Sequence, residues 1–293
     1  MEKKILYKPS CSLPPPLICL SVDPQGKRVA CGTKDAQIIL VSAKSGKPLR
    51  AIKGHGNMIS AAAFVENGKR LVSSSWDCTT RIWNGANGAQ ENRILKHESE
   101  VKALAVDSES SKGAAGARDG EVKVFSIGSL KCIRNLQAHR LDISGLAFTS
   151  DGSKLVTASW DGSARLWDLN SYDPIRTLAR QKERIRSMTL APDDSRVFLG
   201  LHGGKILSVN LDDPRDTTEI AGHTDIVTSL SVDATGTRLL SGSWDRTIRV
   251  FSLEHGTQEL MEKSWTGVSS VGWGKKNTIY STHISGSLVA WTP

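Results

Sequence analysis

The sequence has 293 residues, more than a typical single domain, and a net charge of +8 with an isoelectric point near 9.3. This charge favours acidic partners such as nucleic acid, acidic peptides or anionic surfaces, without choosing among them. No stretch approaches the ~20 apolar residues of a membrane-spanning helix. Prolines at positions 14–16 interrupt the apolar run that a secretory signal would need, so neither a membrane protein nor a secreted one is predicted.

Cysteine usage points to a reducing compartment. The number of cysteines is odd, and their spacing does not match a metal site. The five residues are Cys11, Cys19, Cys31, Cys78 and Cys132. We therefore expect free thiols, a cytoplasmic or nuclear location, and neither a metal nor a cofactor.

The chain repeats every 42 residues. Dipeptides that begin each repeat lie at 54–55, 96–97, 138–139, 180–181, 222–223 and 264–265. A mostly apolar or aromatic position keeps the same register at Val41, Trp83, Phe125, Trp167, Val209, Phe251 and, two residues early, Trp291. A turn position precedes it in each repeat, at Asp35, Asp77, Asp119, Asp161, Gly203, Asp245 and Ser285. A period of about 40–45 residues of this kind is typical of four-stranded propeller blades, which bury their faces by stacking on neighbours.

These repeats resemble those of the WD40 family over nearly the whole chain. The fourth repeat shows the resemblance best, with Ala138-His139, Asp161 and Trp167-Asp168 in the expected order. Seven inner strands are predicted, and they begin near Leu17, Ile59, Val101, Ile143, Ile185, Val227 and Val268. The resemblance therefore predicts an all-β, seven-bladed propeller that uses residues 1–293 as a single domain.

The two ends of the sequence predict how the ring closes. The last residues follow the third strand of the seventh blade, which leaves that blade without a fourth strand. Residues 1–8 contain a spare strand, read here as Ile5 to Lys8, before Pro9. Pairing the two ends removes open strand edges, so we expect the N-terminal strand to complete the last blade.

The resemblance also implies a buried hydrogen-bonded set of His, Asp, Ser or Thr, and Trp in each complete blade. Such a set suits the donors and acceptors of these side chains. The second and fourth blades have the full set, and the third and sixth carry Phe in place of Trp. The predicted structural residues are His55, Asp77 and Trp83 with Ser73; His139, Asp161 and Trp167 with Thr157; His97 with Asp119; and His223 with Asp245. Because the pattern recurs around the ring, we interpret it as structural and not as catalytic or metal-binding.

Partner binding is predicted on the face that carries the turn Asp residues. The residue before each turn position reads Lys34, Trp76, Arg118, Trp160, His202, Trp244 and Ile284 around the ring. Three large aromatic side chains with cations between them would suit a peptide or a stacking ligand. Alternatively, each Trp packs on the Arg that follows its turn in the same blade, at Arg81, Arg165 or Arg249, as a structural cation–π pair.

A second candidate feature is a basic arc over the third to fifth blades. It comprises Arg118, Arg140 and the basic residues of segment 180–186, which are Arg180, Lys182, Arg184 and Arg186; Glu98 and Glu100 lie nearby. Strand alternation predicts that Arg184 and Arg186 point the same way. The arc would bind anions, or it is an ordinary solvated edge. The sequence thus predicts a non-enzymatic scaffold or adaptor subunit that binds a protein partner, with no membrane or small-molecule substrate. An RNA-associated propeller in a processing or ribosome-assembly particle is the alternative.

Overall fold

The computed structural model describes residues 2–9, 14–107, 109, 111–220 and 222–292. These residues form seven antiparallel four-stranded sheets, the blades of a propeller. Each inner strand begins at the predicted residue and contacts the inner strands of its neighbours, so the seven inner strands surround the axis. They are β2 (Leu17–Val22), β6 (Ile59–Val65), β10 (Val101–Val106), β14 (Ile143–Phe148), β18 (Ile185–Leu190), β22 (Val227–Val232) and β26 (Val268–Trp273). The predicted fold class is confirmed.

The remaining strands follow in order from the axis outward. The second strands are β3 (Arg28–Thr33), β7 (Arg70–Ser75), β11 (Lys112–Ala117), β15 (Lys154–Ser159), β19 (Arg196–Leu201), β23 (Arg238–Ser243) and β27 (Ile279–His283). The third strands are β4 (Ile38–Ser42), β8 (Thr79–Asn84), β12 (Glu121–Ser126), β16 (Ser163–Asp168), β20 (Ile206–Asn210), β24 (Thr247–Ser252) and β28 (Leu288–Thr292). The outer strands of blades 1 to 6 are β5 (Pro48–Ile52), β9 (Gln90–Lys96), β13 (Cys132–Gln137), β17 (Pro174–Arg180), β21 (Thr217–Ile220) and β25 (Gln258–Lys263). Two single turns of 3₁₀ helix lie at Glu66–Gly68 and Lys275–Asn277.

The ring closes through the N-terminal strand, as predicted. Strand β1 (Glu2–Tyr7) pairs antiparallel with β28, and Glu2 lies opposite Thr292. The strand begins earlier than the sequence suggested, and Lys8 lies beyond it. The ladder has a bulge between Ile5 and Tyr7, and Leu6 at this bulge is buried, whereas Ile5 is exposed.

The hydrophobic core lies between blades. One cluster joins Leu40 and Ile52 of blade 1 to Ile59 and Trp83 of blade 2, and similar clusters fill the other interfaces. At the closing interface, Leu6 of β1 packs in one cluster with residues of blades 7 and 1. Stacking of neighbours therefore supplies the burial that a single repeat cannot achieve.

The free-thiol prediction is met where the structure can address it. Cys19, Cys31, Cys78 and Cys132 are free, and Cys11 lies outside the described residues. Burial raises the pKa of the Cys19 thiol to about 12, so this side chain behaves as a small apolar group. Among the described residues, no helix is long and apolar enough to cross a membrane.

Candidate binding site on the top face

A relay of hydrogen bonds holds the top of blade 2. The indole N–H of Trp83 donates to Ser73 Oγ at 2.7 Å, and that hydroxyl contacts His55 Nε2 at 2.7 Å. The other ring nitrogen, Nδ1, lies 2.7 Å from Asp77 Oδ2. Each group has a partner when the imidazole is neutral with its proton on Nδ1. The relay fixes the Asp77 turn against the strand that enters the blade.

Blades 4 and 6 repeat this arrangement. In blade 4, His139 lies 3.1 Å from Asp161 and 2.7 Å from Thr157, which accepts the Trp167 N–H at 3.0 Å. In blade 6, the His223 imidazole is hydrogen-bonded to Asp245 at 2.9 Å and to Ser241 at 2.7 Å. Phe251 takes the Trp position there, so the hydroxyl has no indole to accept from.

The charges in these relays are set by burial and hydrogen bonding together. Burial opposes ionisation of Asp77, but donation from His55, Thr79 and the Gly56 amide outweighs it, so the pKa of Asp77 lies well below its usual range. Burial lowers the pKa of His55, although Asp77 works against that shift. The ring is thus neutral beside an ionised carboxylate. All hydrogen bonds of this relay join residues of the protein to one another, and together they hold the Asp77 turn in place.

The predicted pair in blade 3 is wrong. His97 does not bond Asp119; its Nε2 lies 3.1 Å from Thr80 Oγ1 of blade 2, and its Nδ1 has no partner within the described part of the chain. The reason lies in β11 and β12, where Ala115 occupies the hydroxyl position and Phe125 the Trp position. Blade 3 thus lacks both the hydroxyl and the indole N–H of the relay.

Blade 7 contains a relay that the sequence reading missed. Trp291 donates to Ser281 at 2.9 Å, Ser281 contacts His283 Nε2 at 2.9 Å, and His283 Nδ1 lies 2.8 Å from Ser264 Oγ. The histidine comes from the second strand and replaces the one missing from the 264–265 dipeptide. The retained Trp291, which needs an acceptor when buried, was the signal that could have revealed it.

Blade 5 has no such relay. Leu199 and Val209 fill the positions of the hydroxyl and the indole and are fully buried. The amide of Gly203 at the turn donates to the Glu183 carboxylate at 2.9 Å, so Glu183 rather than Gln181 contacts the turn glycine. In blade 5, apolar packing and the Glu183 carboxylate therefore hold the turn that the relay holds in other blades.

The top face is defined here as the face that carries the turns between second and third strands. At its centre lies a cavity of about 430 Å³. Trp76, Trp160, Trp244 and Ile284 line it, so four of the seven residues predicted before the turns converge on one space. Trp76 and Trp160 are partly buried, while the Trp244 side chain is 46% exposed.

The expected packing of each Trp on the Arg of its own blade is wrong. Arg81 instead donates to the Gly54 carbonyl at 2.7 Å, and Arg249 to the Gly222 carbonyl at 2.7 Å. Arg81 lies opposite Ser73 in the ladder and so projects from the same sheet face as the relay, whereas Trp76 points to the axis.

Cations from the next blade lie over two of the rings instead. Lys102 Nζ lies 3.4 Å from the ring centroid of Trp76, and the Arg186 guanidinium lies 4.3 Å from that of Trp160. Arg184 also lies over Trp160, at 5.1 Å. Such contacts orient the rings at the mouth of the cavity.

A bulge in every inner strand explains which residues face the axis. The pairing register shifts at the start of all seven inner strands, between Ile143 and Gly145 for example. The extra residue turns into the cavity in each case. This bulge ring is Ile18, Ser60, Lys102, Ser144, Arg186, Thr228 and Ser269. The sequence reading missed it, although six of its members keep the 42-residue spacing.

The other predicted binding residues lie outside the cavity. Lys34 and His202 are exposed, and Arg118 pairs with Glu100 at 2.9 Å on the surface. Arg140, Lys182 and Arg184 are also exposed, and the Arg140 amide donates to Asp161 at the top of blade 4. The cations predicted to alternate with the Trp residues thus belong to the rim, and Lys102 and Arg186 take their place inside.

Within the described ranges no group of three or more His, Cys, Asp or Glu side chains could hold a metal ion. The polar side chains of the cavity are instead two cations, the Asp142 carboxylate and several hydroxyls. This set can bind and orient a ligand, with aromatic faces for apolar contact and charged groups for polar contact.

Comparison with known proteins agrees with this architecture. The family model described as WD domain, G-beta repeat matches residues 46–84, 130–168 and 215–252. A Periodic tryptophan protein 2 homolog of Neurospora crassa is 37% identical over 110 residues, which are 37% of this chain and 12% of that protein.

Two further relatives match a similar share of the chain. Pre-mRNA-processing factor 19 of Oryza sativa is 28% identical over 122 residues, 41% of this chain and 23% of that protein. Target of rapamycin complex subunit wat1 of Schizosaccharomyces pombe is 27% identical over 115 residues, 39% of this chain and 36% of that protein. The matched segments span far less than two thirds of these relatives. The chain is therefore a seven-bladed propeller with matches to the WD40 repeat model at three positions.

Proposed function

We infer that the protein is a non-enzymatic scaffold or adaptor subunit that holds a protein partner on its top face within a larger complex. One observation carries this proposal: Trp76, Trp160 and Trp244 come from alternate blades and converge on one cavity. Buried aromatic side chains at the centre of an interface dominate protein–protein affinity. The name of one relative, a target of rapamycin complex subunit, supports a role within an assembly.

The rim cations complete this proposal. Arg118, Arg140, Lys182 and Arg184 are exposed around the mouth and would steer an acidic partner toward it. Rim charges of this kind change association rate and salt sensitivity more than they change final affinity. A cytoplasmic or nuclear location and the use of residues 1–293 as one domain belong to the same proposal.

The test compares two exposed tryptophans. Trp244→Ala removes a ring at the cavity, whereas Trp265→Ala removes one that is 85% exposed and does not line it. Partners retained from native lysate by the wild type should be lost with Trp244→Ala and kept with Trp265→Ala, while thermal melts show both variants folded. Equal retention by a folded Trp244→Ala variant would overturn the proposal.

RNA association is the second candidate. The names of two relatives, Pre-mRNA-processing factor 19 and Pre-mRNA-splicing factor cwf17 of Schizosaccharomyces pombe, support it, as does the basic rim. Salt separates the two candidates, because phosphate contacts weaken steeply with salt and apolar contacts do not. Retention that is lost at high salt and depends on Arg140, Lys182 and Arg184 alone would favour RNA.

A further inference from the structure

Three consecutive members of the bulge ring differ from the rest. Blades 3, 4 and 5 place Lys102, Ser144 and Arg186 side by side around the axis. The other members are Ile18 and three hydroxyl side chains. Both cations of the ring therefore flank one serine on one side of the cavity.

Hydrogen bonding sets the same sector apart. The hydroxyls of Ser60 and Thr228 donate to the carbonyls of Ser74 and Gly242, at 3.1 and 2.9 Å, and Ser269 donates to the Leu17 carbonyl. In contrast, Ser144 Oγ and Arg186 Nε are buried and find no partner among the residues that the structure describes. A buried donor without an acceptor costs about 1–3 kcal/mol, so a ligand that accepts from both gains by relieving this cost.

The charges of the sector are not balanced. Asp142 is 8% exposed, and its carboxylate lies 3.6 Å from Lys102 Nζ. One carboxylate thus faces two partly buried cations, and the exposed Arg184 adds a third positive charge at the rim. Burial lowers the pKa of Arg186, with Arg184 adding to that effect, as expected for a cation short of counter-charge.

We propose that this sector, Lys102, Ser144 and Arg186, is an anion subsite that takes an acidic side chain of the bound partner segment, either a carboxylate or a phosphoryl group. Lys102 and the Arg186 guanidinium donate to the anion, and so does the Ser144 hydroxyl. The tryptophans pack on apolar residues of the same segment. The inference rests on the proposed function, because it names the chemistry that the top face selects.

The geometry favours a peptide over nucleic acid. The positive sector is compact and lies against aromatic walls, so it suits one anion flanked by apolar groups. A nucleic-acid strand would need a continuous basic path. Here Glu100 pairs with Arg118, and Glu183 caps the Gly203 turn beside the basic rim. These carboxylates interrupt the path.

The experiment uses the full chain and short synthetic peptide libraries whose central position is fixed as Glu, Gln, phosphoserine or Ser. The wild type should retain the Glu or the phosphoserine library over its neutral counterpart, and the two pairs separate the two anion sources. Arg186→Gln should weaken retention of the preferred acidic library about tenfold, the size of one charge-assisted hydrogen bond, and leave the neutral libraries unchanged. Lys44→Gln is the matched control, since it removes an exposed cation that neither lines the cavity nor belongs to the basic rim.

A second variant should act in the opposite direction. Asp142→Asn removes the internal competitor for Lys102 and should tighten binding of the acidic library several-fold, an outcome that a damaged fold cannot mimic. Equal retention of acidic and neutral libraries by the wild type, or no gain with Asp142→Asn, would overturn the anion subsite.

The two proposals fail in different ways. Libraries retained without preference for acid, yet lost with Trp244→Ala, would leave the top-face function standing and remove the subsite. Binding that survives Trp244→Ala would place the partner elsewhere and remove both. Selective retention of a single-stranded RNA probe through Lys102 and Arg186, with no peptide retained, would assign the sector to nucleic acid and overturn the peptide inference.

Discussion

Blades 4 and 5 are neighbours with the same strand order and register, but different means hold them together. Blade 4 clamps its turn with His139, Thr157 and Asp161, whereas blade 5 has Leu199 and Val209 at the matching buried positions. Both blades pack in one shared core cluster. The relay is therefore not needed to form a blade. It makes a blade depend on a few side chains that must all be present, because buried polar groups are costly once a partner is lost.

The largest effect is expected where β1 packs between blades 7 and 1 and closes the ring. Leu6→Asp places a carboxylate in the cluster between blades 7 and 1 and should lower the free energy of unfolding by about 4 kcal/mol. Ile5→Asp, on the exposed side of the same strand, should cost less than about 1 kcal/mol. Urea denaturation measures both, and equal midpoints would refute the closure as described.

Next in size is the direct comparison of the two blades. His139→Ala leaves Asp161 without its imidazole and Thr157 without an acceptor, so we expect a loss of about 3 kcal/mol. Gln181→Ala, at the equivalent position in blade 5, should cost less than about 0.5 kcal/mol. The same urea titration tests this pair. Similar losses would mean that the relay does not distinguish the blades.

Acid should weaken the blades whose histidine lacks a carboxylate partner. Burial lowers the pKa of His97 and of His283 to about 4, and Lys123 and Lys3 respectively add to this effect. The unfolded chain takes up these protons below pH 6.5, but the folded protein does so only near pH 4. Stability should thus be full above pH 6.5 and fall between these values, by about 3 kcal/mol for each histidine.

The slope of stability against pH is the readout for this prediction. His283→Asn should flatten it between pH 6.5 and 4, whatever its effect at neutral pH. His255→Asn replaces an exposed side chain and should leave the slope as in the wild type. A slope that His283→Asn does not change would contradict the prediction. Burial raises the pKa of Asp77 and of Asp245, but hydrogen bonds outweigh burial and hold both pKa values well below the usual range. Below this window the two carboxylates take up protons in turn, and their contribution to stability is then lost.

The smallest effect is a coupling within one relay. Ser73→Ala and Trp83→Phe each break the indole hydrogen bond of blade 2, so the double variant should cost about 1 kcal/mol less than the sum of the two. Blade 3 already has this double form, with Ala115 and Phe125. Ser73→Ala combined with Trp167→Phe, in separate relays, should be additive. A double-mutant cycle in urea separates the cases, and additivity in blade 2 would rule out the coupling.

Much of the molecule could be read from the sequence because the repeat fixes strand order, blade number and turn position. The seven inner strands begin at the predicted residues, and the relays of blades 2, 4 and 6 join residues that the 42-residue period already aligned. The predictions that failed were those that depended on which way a side chain points. The sequence placed Arg81 against Trp76, but the ladder turns Arg81 to the relay and brings Lys102 from the next blade.

The period in the sequence by itself determined the propeller, its seven blades and the strand that closes it, since hydrophobic spacing and turn residues are local signals repeated along the chain. The tertiary structure alone decided what the centre of the ring contains. A bulge in each inner strand rotates one residue out of the alternating pattern and toward the axis, so Lys102, Ser144 and Arg186 meet although 42 residues separate each from the next. That meeting depends on the bulged geometry of neighbouring inner strands, which the period does not encode.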